Sequence, residues 1–246
     1  MPNWVKNIVH IEGPEADVAK AIELMRDKNV DDNIDFENII PVPKRLWITA
    51  SSHDKYYAAL YIKTLSDDEI RKLQDKLSEC PVSFYGTYLK KYADSFTIAK
   101  GFMDIPENNL NWMKSRFEKE YESISHKTME DVGKAYIDNI LEYGHDTWYE
   151  WCVHNWGTKW NAAECTIGDN CLEFETAWDP SIPITVELSK RFPSLKFIHE
   201  WADEGLYQCG KSEIYNGIET EFINFEDTDE MHEFACMLWG YDPDEE

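Results

Sequence analysis

The order of apolar patterns along the chain predicts an α+β fold: strand, helix, strand, a long helical block, then strand, helix, strand, strand, helix. The strands on either side of the block fall into two β-α-β-type units that can share one sheet. Together they specify a ferredoxin-like antiparallel sheet with helices on one face, interrupted by a helical insertion. A chain of 246 residues that is 43% hydrophobic and 14% aromatic can bury the core such a fold needs. Residues 1–45 are expected to hold the first part of the ferredoxin-like domain and 46–147 the insertion. Residues 148–246 then hold the rest of that domain, with an acidic hairpin and a C-terminal helix.

Each element follows from a local signal. WVKNIVHI, Trp4 to Ile11, places Val5, Val9 and Ile11 on one side, the period of a strand. Pro14 opens a helix through about Lys28, with Val18, Ala21, Ile22 and Met25 at helical spacing; its missing N–H has no helical partner to lose there. DFENIIPVP, Asp35 to Pro43, reads as a short apolar strand closed by two prolines. In the block, Ser66 and Glu69 form a capping box, with Ile70, Leu73 and Leu77 following on one face. A helix from about Pro106 carries Leu110, Met113, Phe117 and Tyr121, and another from Thr128 carries Val132, Tyr136 and Ile140 as far as Gly144. The stretch VSFYGTYLKKYADSFTIAKGF fits a strand or a helix equally. Beyond the block, Cys171 to Trp178 alternates as a strand, and a short helix follows Pro183. Leu195 to Trp201 puts Leu195, Phe197, His199 and Trp201 on one face of the next strand. Asn216-Gly217 marks a tight hairpin turn, because both residues tolerate positive φ. Thr228 caps a last helix with Met231, Phe234, Ala235 and Leu238 inward, and Asp229 and Glu230 sit at its positive N-terminal end.

Charge narrows the function. Forty-eight acidic residues against 24 basic ones give a formal net charge of -24. From Glu200 to the end, 15 acids face the single base Lys211, a net -14 in 47 residues. Such a field repels polyphosphate and anionic lipid and attracts basic surfaces. Direct nucleic-acid binding and membrane binding are therefore disfavoured, and the expected partner is a protein with a basic surface. The residues expected to bear that contact are Glu200, Asp203, Glu204, Glu213, Glu219, Glu221, Glu226, Asp227, Asp229, Glu230 and Glu233. The sequence opens without a basic segment and apolar run, and no stretch approaches the roughly 18 apolar residues that cross a bilayer. A soluble cytoplasmic protein with its six cysteines reduced is expected.

WCVHNWGTKWNAAEC, Trp151 to Cys165, is the densest cluster of chemically distinctive side chains. Cys152, His154, Cys165 and Cys171 are zinc-ligand types, but they lack the paired C-x-x-C spacing of a zinc knuckle. On a strand Cys152 and His154 share a face; on a helix they diverge. A thiol nucleophile would need Cys152 or Cys165 beside His154 or His199, and no local signature marks such a pair. Carboxylate pairs such as Glu173 with Glu175, or Asp203 with Glu204, arise by chance among 48 acids. The expectation is no catalytic residue, no metal and no cofactor. Asn155, Gly157, Thr158 and Asn161 have turn character, so the stretch reads as a packed corner between a helix and the strand at Cys171. The competing reading is a tryptophan-rich binding surface.

MPNWVKNIVHIEG at the N-terminus, FENIIPVPKRL from Phe36, WYEWCVHNWGTKWNA from Trp148 and FETAWDPSIPITVELSKRFPSLKF from Phe174 carry a resemblance. These blocks resemble the Api-like (YubB-type) family of phage- and plasmid-encoded proteins with a ferredoxin-like domain, and NWGTKWNA is the most specific of them. The blocks flank the helical middle and involve about half of the chain. The resemblance implies a mobile-element origin and the same fold, and it supplies no activity or catalytic residue. Combined with the charge, it implies a non-enzymatic protein of the host cytoplasm that occupies a host protein's nucleic-acid-binding surface, such as that of a defence nuclease. Duplex DNA carries about one charge per 1.7 Å, so the acidic C-terminal segment matches the phosphates of roughly seven base pairs. The alternatives are a Cys/His metal- or thiol-dependent enzyme, or a mobile-element scaffold protein that makes contact through the insertion.

Overall fold

The computed structural model describes residues 2–50, 54–79, 105–125, 127–224 and 228–243. The expected segment 82–102, together with Glu226 and Asp227, lies outside them, as do the side chains of Leu77, Phe117, Tyr121 and Glu221. The chain forms two units, Met1–Val42 with Cys152–Glu246, and Pro43–Trp151.

The first unit is built on strands β1 (Trp4–Glu12), β2 (Ala163–Ile167), β3 (Cys171–Ala177), β4 (Lys196–Asp203), β5 (Cys209–Tyr215) and β6 (Ile218–Asn224). They form one sheet in the order β2-β3-β1-β4-β5-β6, antiparallel throughout. Because β1 lies between β3 and β4, those two strands run parallel with a foreign strand separating them, and β1 and β2 are separated by β3 in the same way. Two split β-α-β units in one antiparallel sheet are the ferredoxin-like arrangement. Helix α1 (Glu15–Met25) follows β1, and the helical unit enters between α1 and β2. The hairpin β5-β6 widens the sheet beyond β4, turning at Asn216 (φ 48°) and Gly217 (φ 77°).

Alternation places the core. Val5, Val9 and Ile11 of β1, Leu172 and Phe174 of β3, Phe197 of β4 and Ile214 of β5 are buried on one face. Helix α7 (Ile182–Arg191) covers that face with Ile184 and Leu188, and Thr185 bonds to His199 beneath it. Helix α8 (Thr228–Trp239) lies on the opposite face, where Ala235 and Leu238 pack with Ala202, Cys209 and Ile8, so helices cover both faces of the sheet and not the single face expected.

Two local expectations change. Asp35–Pro43 is not a strand: Phe36–Asn38 is a 3-10 turn, with Phe36, Ile39 and Val42 buried at a spacing of three. The Asp35 carboxylate accepts from the Glu37 N–H at 3.0 Å, and Asn161 accepts from the Phe36 N–H at 2.9 Å, so side chains satisfy the backbone that a neighbouring strand would have paired. Helix α1 stops at Met25 rather than Lys28, and Arg26 instead pairs with Ile34 as an isolated bridge.

The second unit contains α2 (Asp54–Ile62), α3 (Asp67–Glu79), α4 (Glu107–Ser125) and α5 (Met129–Tyr143). Thr128 and Asp131 make a complete capping box at the start of α5, and Gly144 ends the helix in the left-handed region at φ 74°. Tyr57, Leu60, Leu110, Met113, Val132 and Tyr136 form one cluster, and Ala58, Ile62, Ile137 and Ile140 form another with Ile70 and Leu73. Helices α2 and α5 touch backbone to backbone, since a Cβ at Gly133 would lie 1.9 Å from the Tyr57 carbonyl oxygen.

Candidate functional site

Helix α6 (Trp148–Trp156) ends in the expected corner. Gly157 turns the chain at φ 82°, where a Cβ would meet the Pro180 carbonyl oxygen at 2.6 Å. Trp156 is core: it is 2% exposed, donates from Nε1 to the Ile40 carbonyl at 2.8 Å and packs edge-on against Phe36. Thr158 then ties the corner to β3, donating to the Ala177 carbonyl and accepting from the Ala177 N–H.

Two residues farther on the same stretch turns outward. Trp160 is 40% exposed and Trp178, just past β3, is 53% exposed. The Lys159 ammonium lies 3.8 Å from the Trp160 ring centre and 5.9 Å from that of Trp178. Trp160 also meets Trp4, 6.2 Å away. Trp178 holds this position at φ 77°, a left-handed conformation costly for a bulky side chain, while its N–H donates to the Asn3 carbonyl at 2.8 Å. Glu175 shares the sheet face of Trp4 and lies within the electrostatic reach of Glu164 and Glu204. Burial raises the Glu175 pKa; Lys6 opposes that shift, and the fields of Glu164 and Glu204 add to it.

The thiol candidates separate. Because the segment is helical, Cys152 is buried while His154 is exposed. Burial pushes the Cys152 thiol up to about 12 and the Cys171 thiol up to about 11, and raises that of Cys165. The register sets His10 opposite Cys171 across β1 and β3, a juxtaposition 161 residues apart in sequence. Among the described residues no three His, Cys, Asp or Glu side chains gather as metal ligands would. His199 is fully buried, with Asn7 at 3.0 Å on Nε2 and Thr185 at 2.8 Å on Nδ1. The Asn7 amide nitrogen donates to the Val5 carbonyl and to Thr176, so its oxygen accepts from Nε2–H and Nδ1 accepts from the Thr185 hydroxyl. Burial pushes the His199 pKa down to about 3, keeping this imidazole neutral.

The expected acidic contact residues divide into three kinds. Asp203 is buried and structural: its carboxylate accepts from the N–H groups of Tyr207 and Gln208 and from the Asn3 amide. Glu200 pairs with Lys211 at 3.1 Å, Glu213 pairs with Lys196 at 2.8 Å, and Glu219 accepts from Ser212. Glu204, Asp229, Glu230 and Glu233 are exposed. Glu226 and Asp227, with the Glu221 side chain, lie outside the described residues. The two units differ sharply in charge. The ferredoxin-like unit holds 30 acids and 9 bases, net -21, whereas the helical unit holds 18 and 15, net -3.

No helix among the described residues is long and apolar enough to cross a membrane. Comparison with known proteins gives no match to a curated sequence. The crystal structure of protein Api92 from Yersinia pseudotuberculosis is similar at 13% identity and a TM-score of 0.41, over 92% of this chain and 99% of that one. The family model for the ferredoxin-like domain in Api92-like protein matches residues 155–242. Residues 155–242 are thus similar to the ferredoxin-like domain of Api92-like protein, in line with the resemblance read from the sequence.

Proposed function

We propose that the ferredoxin-like unit is a non-enzymatic protein-binding module of a mobile element, which occupies a basic, nucleic-acid-binding surface of a host protein. The observation that carries this reading is the partition of charge: 21 of the 24 net negative charges belong to that unit. A field of this kind steers a basic partner and makes association fast and sensitive to salt. The acids Glu204, Asp229, Glu230 and Glu233 are exposed and are the surface contributors. An anti-defence role, with a nuclease as target, is the most specific form of the proposal.

The test is capture of host proteins that have first been retained on immobilised DNA. At about 50 mM salt the chain should retain a basic protein from this fraction and displace it from DNA. A Glu204→Gln/Asp229→Asn/Glu230→Gln/Glu233→Gln variant should lose most of that retention. Recovery of no DNA-retained protein at low salt defeats the proposal.

A further inference from the structure

Trp160 and Trp178 lie outside the acid-rich segment, yet they belong to the same unit and have charged neighbours. Tryptophan is enriched among the residues that dominate binding energy. Here Trp160 and Trp178 present two exposed indole rings, and the ammonium of the chain's own Lys159 lies 3.8 Å from the centre of one and 5.9 Å from that of the other. That placement shows what the rings accept: an indole face attracts a positive charge through its quadrupole. Two acidic residues adjoin Trp4 along the sheet. The Glu204 N–H donates to the Trp4 carbonyl at 2.8 Å, and Glu175 shares its sheet face with Trp4, one pleat along. Trp178 faces water at φ 77°, while Trp156 and Phe36 pack in the core.

We infer that the Trp160–Trp178 pair, with Trp4 at its side and Glu175 and Glu204 at its rim, is a cradle for an arginine side chain of the protein partner. The inference rests on the protein-binding reading and names its anchor. Arginine suits the site better than lysine, because its planar guanidinium stacks on an indole face and donates sideways to carboxylates. Lys159 acts as an internal occupant, covering the rings in the free protein and moving aside when the guanidinium enters. Charge complementarity selects this occupant: a sugar would use the same ring faces and donate its hydroxyls to the carboxylates, but it brings no positive charge to this acidic unit.

The experiment is an NMR titration of the intact chain, following the tryptophan indole N–H signals. The probe is N-acetyl-arginine amide, with the lysine and citrulline amides and maltotriose as parallel arms. The Trp160 and Trp178 signals should shift saturably with arginine, more weakly with lysine and not with citrulline, and Trp178→Ala should abolish the Trp160 response. Lys159→Ala should tighten arginine binding about two- to five-fold, the worth of one exposed cation–π contact. Equal shifts with citrulline, or a response to maltotriose in place of arginine, overturn the inference. So does an arginine response unchanged in Lys159→Ala and Trp178→Ala. If the indoles ignore arginine while the chain still captures a basic partner in a salt-sensitive way, the cradle fails and the binding reading stands. If they respond and no basic partner is captured, the cradle remains as an arginine site and the wider reading fails.

Discussion

His199 shows how a polar side chain is held at the centre of a core. Its ordinary pKa near 6.5 falls to about 3 in the folded protein, so folding favours the neutral base. The stability this contributes is whole above about pH 6.5 and is lost as the pH drops toward 3, because the unfolded chain binds a proton that the folded chain refuses. Urea midpoints should therefore decline between pH 6.5 and 4, and a His199→Gln variant should show a shallower decline over that window. A decline identical in both proteins would place the pH dependence elsewhere. Asp203 separates structure from charge in the same manner. Removing its carboxylate strands the N–H groups of Tyr207 and Gln208, so Asp203→Ala should cost about 1–3 kcal/mol in equilibrium unfolding, while the exposed neighbour substitution Glu204→Ala should cost little. Both acids are plain in the sequence, and neither role is, because a carboxylate's partners come from the turn that follows it. The tryptophans teach the same lesson. Trp156 and Trp160 are four residues apart and alike in sequence, and only the turn at Gly157 sends one inward and the other outward.

Elements were most legible where a local interaction dictates them. The helix start at Thr128, its stop at Gly144 and the Asn216-Gly217 turn all rest on residues acting within a short stretch. Strand β2 left no comparable signal. It is five residues long, pairs on one side only and carries a bulge between Ala163 and Thr166, so its AECTI sequence never shows a buried alternating face. The Asp35–Pro43 segment misled for another reason: its apolar residues are buried, but at a spacing of three, and Asn161, distant in sequence, takes the backbone bond. Contact between α2 and α5 was invisible too, since a lone glycine in a helix does not announce what lies against it. Gly133→Ala should force the two helices apart against the Tyr57 carbonyl and lower stability by about 1–3 kcal/mol or more, read as a drop in melting temperature. Thr128→Ala should cost about 1 kcal/mol through the lost cap. An unchanged melting temperature in Gly133→Ala would mean that the helices do not approach so closely in solution.

At the scale of the molecule, charge and topology divide the chain in the same places. The acidity that the sequence showed as a C-terminal excess belongs more broadly to the ferredoxin-like unit, including acids on α1 and the turn beyond it. Association with a basic partner should slow at least ten-fold between about 50 and 300 mM salt, measured by stopped flow, as steered encounters do. A rate indifferent to salt would detach the charge from recognition. The topology has a consequence in time. Strand β1 is made first, but its partners β3 and β4 lie beyond the helical unit, some 160 residues later. At roughly 5–20 residues per second, a ribosome needs about 10–30 s to cover that distance. The helical unit can therefore complete itself while the first strand of its host waits unpaired, and the sheet closes late in synthesis around a finished insertion.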